Sequence, residues 1–456
     1  MEYAGMISVD LGRSAGQVKP MHGICNGPIS NNGTMDLSAF YRRMGFPYVR
    51  LHDTDCNDTR CYVDISRIFP NFDADENDPS QYLFQHTDRL LSAIDALPSQ
   101  VIYRLGESID HDVYKRYARP PRDFDKWARI CLNIVRHYNE GWAGGYRLGI
   151  RFWEIWNEPD CLNADGTNPM WCGGAQQDAF RLYQAAAPLI KNHDPSLMIG
   201  GMAFTSFNAY ARQFVDFCAE KGLPLDFLSY HLYCDSVQPL TGMIRQAKAY
   251  TDQKGFPHTL HILDEWNYLG LEEPYEGDIW VVARDVGNPK RARQIYLNQK
   301  SHIGLAFTAS CMMAMNHTPL DIATYYDGQP RMHWCGLMDC YAVPQPACCA
   351  FEGYHRLYLA GNELATQVSR PQLQAMAAGH AGDAWIMIAN YRGESGRYVL
   401  RLDHLPGPVA LRVSRVSDEA EFVQGRAEYY SGTAVEQTLY LDRYDTVLIH
   451  LISTQA

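Results

Sequence analysis

Residues Trp153–Asp160 read WEIWNEPD, a short apolar run that ends in Asn157, Glu158 and Pro159. The apolar part predicts a buried strand over Phe152–Trp156, because short apolar runs bounded by a proline are typical of such strands. Pro159 fits the end of the strand, since its ring fixes φ and removes a backbone donor. The polar side chains then lie just beyond the carboxyl end of the strand.

The sequence on both sides repeats this pattern of a short apolar run and an amphipathic helix. A helix is predicted before the strand over Asp123–Asn139, with Asp123 as its N-cap, and another after it over Ala175–Asn192. Alternating βα units predict an α/β fold, here a (β/α)8 TIM barrel. Its eight strands are predicted at His22–Asn26, Tyr48–His52, Val101–Leu105, Phe152–Trp156, Met198–Met202, Phe227–His231, Leu260–Asp264 and Leu305–Met313.

The pattern changes near Leu364, where short alternating runs are separated by Gly, Pro and Asp turns. Such runs predict a small C-terminal β-sandwich. We therefore assign residues 12–360 to the catalytic barrel and residues 361–456 to a β-sandwich accessory domain. The N-terminal residues 1–11, which contain the strand Met6–Leu11, are expected to pair into that sandwich.

Composition narrows the class of protein. The 456 residues have a net charge of −12 and no basic stripe, which argues against a nucleic-acid partner. No apolar run approaches about 18 residues, so no membrane partner is expected. The 13 cysteines are odd in number and form no C-x-x-C pair, and the N-terminus lacks a signal-peptide pattern. We expect free thiols, a cytoplasmic location, and neither a metal nor a cofactor; the oligomeric state is open.

A second acidic residue follows the predicted seventh strand in ILDEWN, Ile262–Asn267. Glu265 and Glu158 would then project into one barrel mouth, because the carboxyl ends of all the strands meet there. Glycoside cleavage needs such a pair: one acid protonates the leaving oxygen, and one carboxylate meets the developing positive carbon. Asn157, beside Glu158, is well placed to bind a sugar 2-hydroxyl.

Four segments carry a resemblance to a known family. WEIWNEP and EWN, after the fourth and seventh strands, resemble clan A glycoside hydrolases, and most of all glycoside hydrolase family 39. Residues 45–58 (GFPYVRLHDTDCND) and 226–233 (DFLSYHLY) resemble its second-strand and sixth-strand segments. The resemblance covers nearly the whole chain. It implies Glu158 as acid/base, Glu265 as nucleophile, Asn157 as 2-hydroxyl partner, His52 as a sugar contact, and His231 and Tyr233 beside the nucleophile.

Two segments depart from the family pattern. The third strand reads YRLGES, with Arg104 where the family usually has a glutamate, and we expect Arg104 to pair with Glu107. The predicted eighth strand lacks the usual tryptophan, so Asn316, His317 or Trp334 is expected to supply the sugar platform. Without the resemblance, His52 would be interpreted as a core histidine.

The sequence therefore predicts a retaining, exo-acting glycosidase that uses an oligosaccharide or glycoside substrate. A pentoside is favoured, with xylose or arabinose as its sugar. One alternative is a metal-dependent, sugar isomerase-type barrel enzyme with Glu158, His231 and Asp264 or Glu265 as ligands. Another is a non-catalytic carbohydrate-binding barrel. If Glu265 is the nucleophile, the two carboxyl groups should lie about 5–5.5 Å apart.

Overall fold

The computed structural model describes residues 3–30, 33–54, 62–109, 118–163, 165–283, 287–331 and 334–454. The chain enters through a long strand, β1 (Gly5–Gln17), which belongs to the second sheet of the molecule. The first barrel strand, β2 (Gly23–Cys25), follows, and then a short hairpin of β3 (Ile29–Ser30) and β4 (Met35–Asp36).

Eight parallel strands close into a barrel. After β2 they are β5 (Tyr48–Leu51), β6 (Gln100–Leu105), β7 (Phe152–Ile155), β8 (Met198–Phe204), β9 (Phe227–Cys234), β10 (Leu260–Tyr268) and β11 (Ile322–Tyr325). Their order around the barrel is β10, β11, β2, β5, β6, β7, β8, β9. The predicted fold class and the first seven predicted strands are confirmed.

Eleven helices are present in the described part of the chain, most of them connecting barrel strands. They are α1 (Ser38–Met44), α2 (Ile65–Ile68), α3 (Gln85–Asp95), α4 (Phe124–Asn139), α5 (Asp178–His193), α6 (Ala209–Lys221), α7 (Val237–Gln253), α8 (Ile279–Ala283), α9 (Pro289–Lys300), α10 (His302–Asn316) and α11 (Cys349–Ala360). The Asp123 carboxylate accepts from the Lys126 amide at 2.9 Å, which confirms the predicted N-cap of α4. None of these helices combines the length and the apolar character needed to cross a bilayer.

The prediction of an eighth strand over Leu305–Met313 is wrong, because this segment lies within α10. Twelve of the fifteen residues of α10 are buried, so the helix is apolar on nearly every side. A helix enclosed in this way lacks the periodicity that separates helices from buried strands in a sequence. The eighth strand is β11, nine residues beyond the end of the prediction.

The C-terminal region forms one nine-stranded sheet that includes β1. Its other strands are β12 (Asn362–Val368), β13 (Leu373–His380), β14 (Asp383–Asn390), β15 (Gly396–Asp403), β16 (Val409–Val416), β17 (Phe422–Tyr430), β18 (Ala434–Leu441) and β19 (Thr446–Ser453). The strand order is β17, β16, β19, β14, β13, β12, β1, β15, β18, with β1 parallel to β15 and antiparallel to β12.

The sheet encloses a core of its own and also packs on the barrel. Leu400 and Leu439, near one edge of the sheet, share a buried cluster with Leu411, near the other edge, so the sheet folds over as the two layers of a sandwich. Met376 and Met387 point the other way and join the core around the barrel helices. The central strands therefore bury both faces.

Candidate active site

Two glutamates lie close together at the carboxyl ends of the barrel strands. Glu158 is three residues beyond β7, and Glu265 lies in the last part of β10. One side-chain oxygen of Glu158 lies within 4.8 Å of one of Glu265. The Glu265 side chain is 10% exposed, whereas the Glu158 side chain is 19% exposed. The two carboxyl groups face each other, and Glu158 is more open to solvent.

A backbone turn carries Glu158 from the end of β7 into the barrel mouth. Trp156 and Glu158 have left-handed φ values of 68° and 46°, which cost a non-glycine residue roughly 1–2 kcal/mol each. The Glu158 amide donates to the Ala203 carbonyl at 3.0 Å, and the Trp156 ring nitrogen donates to the Met170 carbonyl at 2.8 Å. These bonds hold the turn that aims Glu158.

A β-bulge in β10 directs two neighbouring carboxylates toward one cation. The register of β10 against β9 shifts between Leu263 and Glu265. Successive strand residues normally point to opposite faces, and a bulge changes this alternation. Asp264 and Glu265 consequently both reach Arg50, with N–O distances of 2.9 and 3.4 Å.

Arg50, on β5, is a fully buried cation that orients the groups around it. It also contacts the Glu154 carboxyl group at 2.8 Å and donates to Asn157 Oδ1 at 2.6 Å. Because the Asn157 oxygen accepts from Arg50, the amide nitrogen is turned away and its N–H groups are directed elsewhere. This orientation suits the predicted donation to a sugar hydroxyl.

His231 and Tyr233 point from the same face of β9 toward the two glutamates. His231 Nδ1 lies 2.7 Å from Glu158 Oε1 and 3.8 Å from Glu265 Oε2, and its Nε2 lies 3.5 Å from Asp264 Oδ1. The Tyr233 hydroxyl donates to Glu265 Oε1. Tyr233 thus contacts the predicted nucleophile, whereas the nearest contact of His231 is the predicted acid/base.

Burial and charge together set the protonation of this group. Burial raises the pKa of Glu265 to about 7 and the Glu158 charge adds to the rise, while His231, Arg50 and the Tyr233 hydroxyl oppose it. Burial lowers the pKa of His231, but Glu265 and Asp264 outweigh burial and hold that pKa well above its usual value. His231 is therefore an imidazolium near neutral pH, and both of its ring nitrogens are donors.

His52 lies directly after β5 and is 4% exposed. Its carbonyl accepts from Arg104 Nη2 at 2.6 Å. Within the described residues its ring Nδ1 has no hydrogen-bond partner. Burial holds the pKa of His52 well below its usual value, so the ring is neutral. A neutral ring with a free nitrogen can bind a hydroxyl group, and the predicted sugar contact stays a prediction.

Three aromatic rings form a wall next to the nucleophile. The Tyr233 ring centroid lies 5.1 Å from that of Trp280 and 5.4 Å from that of Trp334, and the two tryptophans are 5.3 Å apart. Tyr233 connects this wall to Glu265, because its hydroxyl donates to the Glu265 carboxylate. The structure thus brings Trp334 near the site, and its role as a sugar platform stays a prediction.

The end of the eighth strand carries polar residues that the sequence analysis missed. The Tyr326 hydroxyl donates to Asp53 Oδ2 at 2.6 Å, and Asn26 Nδ2 donates at 3.0 Å to both Asp53 and Asp327. They were missed because the eighth strand was assigned to the wrong segment. The signal was the short aromatic and β-branched run IATY, Ile322–Tyr325, after a proline turn.

Asn316 and His317 do not belong to the site. Asn316 ends α10, where its amide nitrogen donates to Glu363 Oε2 at 2.7 Å and its oxygen accepts from the Lys19 amide at 2.7 Å. His317 Nε2 contacts the same Glu363 at 2.5 Å. Lys19 precedes β2, so this cluster lies at the amino end of the barrel strands, opposite the two glutamates. The predicted sugar contact of Asn316 is wrong, since it depended on the misplaced eighth strand.

Arg104 pairs with a different carboxylate from the one expected. Its Nη2 lies 2.6 Å from Asp64 Oδ1, whereas Glu107 accepts from the amide and the hydroxyl of Ser66 at 2.8 and 2.6 Å. Burial is the main reason that the pKa of Glu107 rises to about 8. The prediction of an Arg104–Glu107 pair is wrong, because sequence proximity does not report which loop folds back over the strand.

Glu158, His231 and Glu265 also have the spacing of a possible metal-binding group. One ligand atom from each lies within 4.8 Å of the others. These are three of the residues expected for a metal-dependent barrel enzyme, and carboxylates and imidazole are suitable ligands. Geometry alone therefore allows either glycoside cleavage by the two glutamates or metal-dependent chemistry at these three residues.

Sequence comparison favours glycoside cleavage over metal-dependent chemistry. The family model of the glycosyl hydrolases family 39 matches residues 11–258. A β-xylosidase of Geobacillus stearothermophilus is 29% identical over 261 residues, which are 50% of this chain and 48% of that enzyme. A β-xylosidase of Caldicellulosiruptor saccharolyticus is 22% identical over 414 residues, which are 84% of this chain and 78% of that enzyme. The first match thus spans about half the length of its relative.

Structural comparison extends over the whole chain. The crystal structure of a glucosidase from Croceicoccus marinus is similar with a TM-score of 0.77 at 20% identity, and the match covers 99% of both chains. At that identity the similarity establishes the shared fold of barrel and sheet. Because the family model covers more than half of the chain, this protein belongs to glycosyl hydrolase family 39.

Proposed function

We propose that the protein is a retaining, exo-acting glycosidase in which Glu265 is the nucleophile and Glu158 the acid/base. The observation that carries this proposal is the short separation of their oxygens, within 4.8 Å. Retaining enzymes have carboxyl groups about 5–5.5 Å apart, whereas inverting enzymes need roughly 6.5–9.5 Å to admit a water molecule.

In the first step Glu265 attacks the anomeric carbon while Glu158 protonates the leaving oxygen. A proton is available on His231, whose Nδ1 lies 2.7 Å from Glu158 Oε1. Its transfer along this hydrogen bond gives a neutral imidazole and a protonated Glu158. Glu265 must be ionised to attack, so its raised pKa of about 7 makes this the group that limits activity at low pH.

In the second step Glu158 acts as a base toward water, and Glu265 leaves as a carboxylate. The Tyr233 hydroxyl and the Arg50 guanidinium contact separate oxygens of Glu265. Both can stabilise the negative charge as it returns to that carboxylate. Asn157, held by Arg50, would donate to the sugar 2-hydroxyl in both steps.

The proposed substrate is a terminal pentoside, with a xyloside favoured over an arabinoside. Support comes from the two relatives named as β-xylosidases. The structural neighbour named as a glucosidase makes a glucoside the comparison substrate of choice. Exo action is proposed on the same support, since a β-xylosidase removes terminal sugars.

A panel of aryl glycosides tests the activity: β-D-xyloside, α-L-arabinofuranoside, β-D-glucoside and β-D-galactoside. We expect the highest kcat/KM for the xyloside. Proton NMR of the first-formed sugar should show the anomeric configuration of the substrate. An inverted product would contradict the assignment of Glu265 as nucleophile. Failure to cleave any of these or longer substrates would contradict the glycosidase and leave carbohydrate binding or the metal-dependent enzyme.

The metal-binding alternative has its own test. The triad of Glu158, His231 and Glu265 favours it because of the short distances between its ligand atoms. Under our proposal, activity survives prolonged treatment with a chelator and is not increased by divalent cations. Loss of activity in the chelator with recovery on adding a metal would favour the metal-dependent enzyme.

We further propose a cytoplasmic location. The support is that no disulfide joins the eleven cysteines in the described residues. Titration with a thiol reagent, after unfolding without reductant, should then find nearly all 13 thiols of the chain. Several intact disulfides would contradict this location.

A further inference from the structure

Glu154 is a buried acid that the proposed mechanism does not use. It lies on β7, four residues before Glu158, and its side chain has no exposed surface. Its Oε2 lies 2.8 Å from Arg50. Its Oε1 is buried and receives no hydrogen bond from a donor in the described residues. The carboxyl group is within hydrogen-bonding reach of Asp264 and of the Ser229 hydroxyl.

The charges around Arg50 do not balance if every acid is ionised. Two cations, Arg50 and His231, face four carboxyl groups: Glu154, Asp264, Glu265 and Glu158. Glu154, Asp264 and Arg50 have no exposed side-chain surface. Unbalanced charge in such a place is expensive, and a group usually gains a proton rather than stay charged.

Unsatisfied acceptors point to the place of that proton. Neither Asp264 oxygen nor Glu154 Oε1 takes part in a well-formed hydrogen bond in the described part of the chain, and the cations nearest to Asp264 are Arg50 Nε at 2.9 Å and His231 Nε2 at 3.5 Å. Two ionised carboxylates side by side would repel, and neither could donate to the other. One proton between them supplies the donor and removes the repulsion.

We propose that Glu154 is a positioning residue that stays protonated throughout the reaction. As a neutral acid it donates to Asp264 and accepts from Arg50, and it leaves the charge of Arg50 to Asp264 and Glu265. The role in catalysis rests on the function proposed above, whereas the protonated state of Glu154 does not.

The electrostatics of the pair agree with this assignment. Burial, with a contribution from Asp264, raises the pKa of Glu154 to about 8 against the opposing charge of Arg50. Arg50 and His231 outweigh burial at Asp264 and lower its pKa to about 2. Arg50 from β5 contacts both acids, whereas His231 from β9 contacts only Asp264 of the two. The other titratable groups facing Asp264 are Cys25 from β2, Tyr230 from β9 and the adjacent Glu265. The proton therefore resides on Glu154 rather than on Asp264.

Protonation of Glu154 has a consequence for Arg50. An ionised Glu154 would draw the guanidinium toward β7 and weaken its contact with Glu265, which is already the longest at 3.4 Å. A neutral Glu154 holds one edge of Arg50 through a weaker hydrogen bond. Arg50 then keeps Asn157 and Glu265 in place together, and a shift of about 1 Å in such groups can cost about 100-fold in rate.

The test compares two amide substitutions that differ only in which acid is replaced. Glu154→Gln reproduces a protonated glutamic acid, since its amide can donate to Asp264 and accept from Arg50. We expect its kcat/KM to fall by less than about threefold with an unchanged acidic limb of the pH profile, because each hydrogen bond keeps its donor and acceptor. Asp264→Asn places an amide where an anion is needed, and we expect a loss of about 100-fold or more, mainly in kcat.

Infrared spectroscopy tests the protonated state without any substrate. At about pH 6, where an ordinary glutamate is ionised, the wild type should show the carbonyl stretch of a buried carboxylic acid, and Glu154→Gln should lose one component of it. Glu107→Gln is the matched control, because Glu107 is a partly buried acid that also has a raised pKa but lies outside the Arg50 contacts. The Glu107→Gln variant should lose a different component of the carboxylic acid band.

Three results would overturn the proposal. They are an acid band that Glu154→Gln leaves intact, a Glu154→Gln variant that loses activity as strongly as Asp264→Asn, and a Glu154→Gln variant that fails to fold. If no glycoside is cleaved but the band behaves as expected, the proposed function fails and the protonated state stands.

Discussion

Glu158 and Glu265 are the same kind of residue in two different settings. Glu158 sits on a left-handed turn outside its strand and is partly open to solvent. Glu265 lies inside a bulged strand and is enclosed by Arg50, His231 and Tyr233. An acid/base must exchange protons with water in every turnover, whereas a nucleophile must be held still. The backbone around each glutamate suits the role that we propose for it.

The largest expected effect comes from removing the proposed nucleophile. Glu265→Ala should lower kcat by about 10⁴-fold or more on every substrate, because no other group can form the covalent intermediate. Azide should fill the space and give a glycosyl azide of inverted configuration. A glycosyl azide of retained configuration, identified by NMR, would exchange the roles of the two glutamates.

Glu158→Ala should have a smaller effect that depends on the substrate. Loss of the acid should cost about 10²–10⁴-fold on substrates with poor leaving groups, and much less in the first step on activated aryl glycosides. Here azide should give a product of retained configuration. Steady-state kinetics on a series of leaving groups measures the difference, and an equal loss across the series would remove Glu158 from the acid role.

Tyr233→Phe sharpens the comparison by removing one neutral donor from Glu265. We expect kcat to fall by about tenfold, the value of one buried hydrogen bond to a charged group. The hydroxyl lowers the pKa of Glu265 from the value that burial would give it. Its removal should therefore move the acidic limb of kcat/KM to higher pH, which a pH–rate profile measures. A limb that stays in place would show that the group titrating there is not Glu265.

The smallest expected effect concerns how stability depends on pH, which three acids with raised pKa values, among them the proposed nucleophile, help to set. The pKa values of Glu265, Glu154 and Glu107 rise to about 7, 8 and 8 from 4.5, so the folded protein binds these protons more tightly than the unfolded chain. This contribution is fully present below about pH 4.5 and is lost as pH rises through about 7–8. Asp264, with a pKa of about 2, acts in the opposite direction, and its contribution is lost only as pH falls below about 3.8.

Tm should therefore fall by about 5 °C or more from about pH 5 to about pH 8.5. Differential scanning calorimetry at matched ionic strength measures this slope. The double variant Glu107→Gln/Glu154→Gln is the control and should flatten the slope, because an amide does not titrate. An unchanged slope in the double variant would mean that other groups cause it.

The sequence predicted those strands and site residues whose signal lies within one short segment of the chain. Seven of the eight barrel strands were predicted because each is a short apolar run next to an amphipathic helix. The pair of Glu158 and Glu265 was found because both follow such a run in a barrel. The α10 segment was not predicted as a helix, since a helix buried on nearly every side has the composition of a core strand.

Contacts between distant segments could not be predicted in the same way. Arg50 reaches Glu154, Asn157, Asp264 and Glu265 across the barrel, up to 215 residues away in the chain. Local pattern identifies Arg50 only as a residue of a strand. The expected partner of Arg104 was wrong for the same reason, because the choice between Asp64 and Glu107 depends on how the loop after β5 folds.

The pairing of β1 with strands from the far end of the chain has a consequence for protein synthesis. Met6 and Ser369 share a hydrogen bond although they are 363 residues apart. On the ribosome β1 emerges long before β12 and β15, between which it lies, and it stays unpaired while the barrel is translated. Contacts of such long range form slowly. During that interval β1 is an exposed edge that other nascent chains can bind, so the protein is most exposed to aggregation in the cell while it is still being made.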